Sequence, residues 1–350
     1  MRSGERVTRR AVLAGGLTLL GTAALDPAQA WALPEGAITD CAGWGARPNN
    51  AVIPVWNQRP VKILVHHTAD PNNRPVTRDS AYRLARAIQN FHMDRRGWPD
   101  SGQHFTITRG GFALEGRHRS LEIVRRGRQQ VEGAHCTGQN VVAIGIENEG
   151  TYTDVDPPPA LWNRLRDLCA WICAQYGIPP TELYGHRDFK NTACPGNHLY
   201  GLLPRLRGEV AVVLGLRVSA VTKASWPLLQ AGDRGPEVTA AQYLLRDARV
   251  TTAAPSGVFD AATGAAVRRF QAQTHAEDVN GLLGGESWPV LARVTQRGSG
   301  SDADRAVDAL AATRRTEAVP DVVTAAVWRR LLGTGGEPAN LATDPVGPPR

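Results

Sequence analysis

Three side chains with the chemistry of soft-metal ligands lie far apart along this chain. His66 stands at the end of an apolar run, and His186 and Cys194 are eight residues apart much later. Two imidazoles and one thiolate supply the three ligands of a zinc ion that keeps a fourth position open. Nine histidines allow many groupings, so spacing alone does not select this one. Hydrolysis at such a metal also needs a group that takes a proton from water and passes it to the leaving group. Glu147 suits that task, because it closes the apolar run Val142 to Ile146 on the face opposite Ile146. Glu149 follows two residues later on the same face, nearer the loop. Neighbouring strand residues point to opposite faces, so only one of His66 and His67 can meet the metal.

These residues need a scaffold, and the chain predicts one. Residues 61–66 read as a buried strand. Thr77 caps a helix with Ala81, Leu84, Ala85, Ile88 and Phe91 at helical spacing. Residues 105–108 and 112–114 form a hairpin around Gly110-Gly111, and residues 142–147 form another buried strand. A long helix follows Pro159, with Leu161, Leu165, Leu168, Ile172 and Tyr176 on one face. Strands alternating with helices predict an α/β (α+β) domain, a central mixed β-sheet flanked by helices, over residues 35–206. Residues 207–225 read as a linker. Residues 226–292 read as a small three-helix domain, residues 293–334 as a degenerate second copy and residues 335–350 as a disordered tail. Gly300, Ala303, Ala306 and Leu310 lie 65 residues after Gly235, Val238, Ala241 and Leu245, which is the sign of that repeat.

The first domain resembles the type 2 N-acetylmuramoyl-L-alanine amidases and the peptidoglycan recognition proteins. The resemblance is carried by Trp44-Gly45-Ala46, by Leu64 to Ala69, by Gly133-Ala134-His135 with Asn140, by Ile144 to Glu147, and by Gly185-His186-Arg187-Asp188 running to Cys194-Pro195-Gly196. It implies the fold those proteins share, one Zn2+ per chain held by His66, His186 and Cys194, and Glu147 as the acid/base. It leaves His67 as a hydrogen-bonded wall residue. Two departures stand out. Gln103 occupies a position where many members have Tyr, and it can at most hold a water or a substrate oxygen. Thr192 stands where the amidase branch often has Lys, and its hydroxyl is a weaker donor to an oxyanion. The resemblance also implies that Trp98, next to Gly97, and His135 line the substrate groove. The Gly97-Trp98 pair goes with diaminopimelate-type stem peptides. The region from Trp226 to Leu291 resembles the peptidoglycan-binding type 1 module, so the expected partner is peptidoglycan.

The first thirty residues are set apart from the fold. Arg9-Arg10 precedes an uncharged apolar run from Ala11 to Ala24, and Ala28-Gln29-Ala30 is a small-x-small cleavage site. This reads as a twin-arginine-type export signal cut before Trp31, giving a secreted or cell-wall-associated protein with no membrane span in the mature chain. The formal charge of +7 rests on 37 Arg and 3 Lys with no block of like charges, which argues against nucleic acid as a partner. With Cys194 on zinc, Cys41, Cys136, Cys169 and Cys173 are left either to pair or to stay as buried thiols. The expectation is a monomeric zinc amidase that cuts between N-acetylmuramic acid and the L-Ala of the stem peptide. A non-catalytic peptidoglycan-binding protein is the rival.

Overall fold

The computed structural model describes residues 37–216, 225–313 and 318–333. The export signal, residues 217–224 of the expected linker and the expected disordered tail lie outside the described residues.

The first domain is built on six strands: β1 (Ile38–Thr39), β2 (Lys62–His67), β3 (Phe105–Ile107), β4 (Ala113–Glu115), β5 (Ala143–Asn148) and β6 (Leu183–Gly185). Their spatial order is β1-β4-β3-β5-β2-β6. The β3–β4 hairpin is antiparallel and every other pairing is parallel, so the sheet is mixed. Strands alternate their side chains, and here the two faces have different fates. Ile63, Val65, Phe105, Ile107, Ile144 and Ile146 all enter one core cluster. The cover on that face is α3 (Pro159–Tyr176), whose Leu161, Leu165, Leu168 and Ile172 are fully buried. Each such side chain contributes about 1.5–3 kcal/mol by leaving water. The opposite face carries Leu64 and His66 from β2, Thr106 from β3 and Gly145 and Glu147 from β5. One edge of it is covered by α1 (Arg78–Asp94), which packs Ala81 and Ala85 against Leu114 of β4. Thr77 caps α1 by accepting a hydrogen bond from the Ser80 amide. The helix α2 (Ser120–Arg126) fills the space beside α3.

The expected linker at 207 begins too early. Helix α4 (Leu203–Val213) runs through that point and buries Leu206 and Val210 in the first core. An apolar stripe at helical spacing continues past the last recognisable motif, and packing extends the domain with it.

The C-terminal region holds α5 (Pro236–Asp247), α6 (Ala261–Gln273), α7 (Asp302–Ala311) and α8 (Ala325–Leu332), with a one-turn helix at Trp288–Leu291. The three-helix domain and the degenerate copy do not separate at residue 293. Trp226, Val238, Leu245, Phe259, Phe270, Trp288, Ala306, Leu310 and Trp328 share one core. Trp226 and Trp288 stack at 6.1 Å, and Trp328 donates its indole N–H to the Arg293 carbonyl at 2.7 Å. A short antiparallel ribbon, Thr295–Gln296 with Val322–Val323, ties the second half to the first.

Candidate metal centre

His66 and Glu147 come from adjacent parallel strands and are register partners. Thr106 of β3 is the partner of Glu147 on its other side. His186 follows directly after β6, whose Gly185 pairs with Val65. Cys194 is brought back to His186 by the loop between them. The Arg187 amide donates to the Cys194 carbonyl at 3.0 Å, and its buried guanidinium reaches the Ala193 carbonyl at 2.5 Å. Asp188 caps the turn, accepting from the Gly185 amide at 2.9 Å and from the Tyr200 hydroxyl at 2.6 Å. The Gly-His-Arg-Asp run is therefore a loop clasp as well as a source of one imidazole.

One donor atom from each of His66, His186 and Cys194 lies within 4.8 Å of the others. His66 Nδ1 is 3.8 Å from Cys194 Sγ, and the His66 and His186 rings are 4.5 Å apart. Bonds of about 2.0–2.3 Å to a tetrahedral ion put ligand atoms roughly 3.3–3.8 Å from one another, so these three fit with a small inward movement. Burial first, and then the neighbouring His186 and His135, hold His66 well below the usual imidazole range. Burial lowers His186 to about 4. Both are neutral at physiological pH, as ligands must be. Burial and the nearby Glu147 push the Cys194 thiol up, so it keeps its proton until a cation arrives.

Glu147 is partly buried, and burial, with Asp70 adding to it, raises its carboxyl to about 8. Its Oε2 has no hydrogen-bond partner among the described residues. A carboxyl with a free oxygen and a pKa near neutrality beside three ligand atoms is suited to both take and give a proton. Glu149 is committed elsewhere, since its carboxylate accepts from the Arg109 amide at 2.8 Å.

The other residues singled out from sequence are placed as follows. His67 accepts from the Tyr152 amide at 3.3 Å through Nδ1, and its own amide points at Cys194 Sγ at 3.4 Å. Thr192 Oγ1 accepts from the Cys194 amide at 3.2 Å, which leaves its hydroxyl proton available. Trp98 is half-buried on the His92 ring and overhangs Gly102, near the Ala134 carbonyl. Gln103 is buried and donates to Thr106 Oγ1 at 2.9 Å. His135 faces the candidate ligand His66: its Nδ1 is 3.1 Å from His66 Nε2. Its Nε2 makes a longer contact, 3.4 Å, to the Ala143 carbonyl. If that nitrogen carries the proton, Nδ1 accepts from His66 and leaves His66 Nδ1 as the free lone pair facing Cys194. Room for the ring comes from Gly145, where a Cβ would stand 2.5 Å from it.

Sequence reasoning missed two parts of this arrangement. His104 is buried beneath His135, with Nε2 2.8 Å from the Val131 carbonyl and Nδ1 accepting from the Gly145 amide at 3.0 Å. Thr106 lies between Gln103 and Glu147. Neither carries a local motif, and only the strand register could have found Thr106. All five cysteines are free thiols in this structure, and the four outside the site are buried.

A profile described as N-acetylmuramoyl-L-alanine amidase matches residues 56–197, and a peptidoglycan binding domain profile matches residues 234–291. Peptidoglycan recognition protein 1 of Bos indicus is 33% identical over 178 residues, covering 48% of this chain and 86% of that protein. The chain belongs to the N-acetylmuramoyl-L-alanine amidase and peptidoglycan recognition protein family. The N-acetylmuramoyl-L-alanine amidase of Sus scrofa is 32% identical over 198 residues, which is 53% of this chain but only 30% of that protein. The solved structure of Drosophila PGRP-LB superposes with a TM-score of 0.41 at 27% identity, covering 47% of this chain and 90% of that one. The family match spans all three candidate ligands and Glu147. No helix among the described residues is long and apolar enough to cross a membrane.

Proposed function

We propose that this protein is an exported zinc-dependent N-acetylmuramoyl-L-alanine amidase. It hydrolyses the amide between the lactyl group of N-acetylmuramic acid and the L-Ala that begins the peptidoglycan stem peptide. The observation that carries this reading is the meeting of His66, His186 and Cys194 beside the unpaired carboxyl of Glu147. A zinc ion held by the three would supply a Lewis acid that polarises the scissile carbonyl and makes water a stronger acid. Glu147 takes the proton from the attacking water and delivers it to the departing amine of L-Ala. Thr192 donates a hydrogen bond from its hydroxyl to the carbonyl oxygen as negative charge develops there. His135 holds His66 in the tautomer that presents Nδ1. Trp98 offers an aromatic wall to the stem peptide, and the C-terminal module holds the chain against the wall polymer.

The direct test is digestion of purified sacculi by the mature chain. Release of free stem peptides, leaving glycan that still bears the lactyl group, is the expected result. Binding to sacculi with no new amino termini would sink the amidase reading and leave a recognition protein.

A further inference from the structure

The metal-ligand loop between His186 and Cys194 does not stand alone. Asn191, at its midpoint, is fully buried, and its whole polar surface is used across the domain boundary. Its Oδ1 accepts from the Gly284 amide at 3.1 Å and from the Ser287 amide at 3.3 Å. Its Nδ2 donates to Glu286 Oε2 at 2.9 Å and to the Asp278 carbonyl at 3.3 Å. Its backbone carbonyl accepts from Asn280 Nδ2 at 2.6 Å. Beside it, Lys190 is gripped by Glu277 at 2.5 Å and lies 3.5 Å from Glu286. The Gly285 amide donates to the Arg187 carbonyl at 3.0 Å. Glu277 also accepts from Thr137 Oγ1 at 2.8 Å, on the loop that carries His135. One turn of the C-terminal module, residues 277–287, thus holds both loops that border the site.

We infer that the C-terminal module is part of the scaffold of the metal centre, and that Asn191 is the positioning residue through which it orders the His186–Cys194 loop. The physical reason is the asymmetry of buried hydrogen bonds. A planar amide offers donors and acceptors at once, and its removal leaves the Gly284 and Ser287 amides and one carboxylate oxygen of Glu286 without that partner in a dry interface. The strand and Arg187 fix the ends of the loop and Phe189 packs on Tyr184, whereas each hydrogen bond of the Asn191 side chain among the described residues goes to the module. A domain that also binds the wall polymer would in this way be coupled to the geometry of the ligands. The coupling to metal rests on the amidase reading above, whereas the ordering of the loop does not.

The experiment uses the full chain and two kinds of change. Asn191→Ala removes the hub from the first domain. Gly285→Ala acts from the module side, where a Cβ would stand 2.1 Å from the Asp188 carbonyl oxygen and must push the two domains apart. Amide hydrogen exchange over residues 186–194 should accelerate at least about tenfold in both variants. Zinc affinity, measured by competition with a chelator, should fall by a similar factor. On a soluble muropeptide kcat should fall more than KM rises. Asn191→Asp sets two carboxylates together and should behave like Asn191→Ala, whereas combining it with Glu286→Gln supplies a donor again and should recover exchange protection. Unchanged exchange over residues 186–194 in a folded Asn191→Ala protein, or in a Gly285→Ala protein whose residues 277–287 have come loose, would overturn the inference. Failure of the wild-type chain to bind zinc would instead overturn the amidase reading, and the exchange comparison would still decide the ordering of the loop.

Discussion

Glu147, in β5, and Gln103, in the loop before β3, have different surroundings. Glu147 has an oxygen without a partner and a carboxyl raised to about 8 by burial and by Asp70. Glu147→Gln keeps its shape and cannot accept a proton, so kcat should drop by about 10²–10⁴-fold, the usual cost of losing a general base. Zinc content should be unchanged, and elemental analysis of the variant checks that. Gln103 is buried and neutral: its Nε2 donates to Thr106, and its Oε1 has no hydrogen-bond partner among the described residues. Gln103→Ala should therefore cost about 1 kcal/mol of stability in urea unfolding and leave kcat within a small factor. Equal falls in kcat for the two would mean that Gln103 touches the substrate. Cys194→Ala removes the only thiolate of the site and should lose most of the bound zinc. A variant with full metal content would reduce Cys194 to a buried thiol.

At the scale of elements, β5 matters for what it lacks as well as for what it carries. Gly145 leaves the space that the His135 ring fills, and that ring lies within hydrogen-bond distance of His66. Gly145→Ala puts a methyl 2.5 Å from the ring. We expect a folded protein destabilised by about 1–3 kcal/mol, as for an overpacked core, with zinc bound more weakly. Calorimetric titration of zinc into the variant checks this, and wild-type affinity would show that His66 needs no support from His135. A second element-scale contact joins α1, the loop before β3 and the turn before α2. Asp100 is fully buried and accepts from Gln89, from the His118 amide and from His118 Nδ1. Burial alone would raise its carboxyl, but the His118 and Gln89 hydrogen bonds outweigh it and hold it below its ordinary value. The same bond raises His118. The pair is therefore at full strength above the lowered Asp100 value and below the raised His118 value, and weakens outside that window on either side.

The molecule as a whole should be sensitive to acid. His67, His92, His104 and His186 are each lowered to about 4, chiefly by burial. Between their ordinary value and about 4 the unfolded chain binds more protons than the folded one, so stability falls as pH falls through this range. A fully buried group such as His104 adds up to about 1.4 kcal/mol per pH unit there. Glu147 has the opposite sign: its raised carboxyl favours the folded state most at low pH, and that contribution is lost as pH climbs towards 8. Urea unfolding with a chelator present should give a steep loss of stability from about pH 6.5 to 4 and only a shallow decline on the alkaline side. A flat acid limb would mean that these imidazoles charge without unfolding the protein.

What could be read from residue order alone is what depends on short-range rules. Alternation within residues 142–147 set Glu147 against Ile146, helical spacing marked α1 and α3, and the motif segments supplied three candidate ligands. A sheet covered by helices followed from the alternation of strands with helices, and its mixed character from the family resemblance. What only the tertiary structure decided depends on groups far apart in the chain. His135 meets His66 across 69 residues, where Gly145 leaves room, a contact between a candidate groove residue and a candidate ligand that no local pattern shows. Gln103 turned inward because Thr106 offered a buried partner. The two halves of the C-terminal region share one core, in which Trp226, Trp288 and Trp328 are buried together. Asn191 carries no local pattern at all. Its role exists only because residues 277–287, nearly ninety positions later, bring amides and a carboxylate to a single buried side chain, and an unpaired polar group there would cost too much to leave.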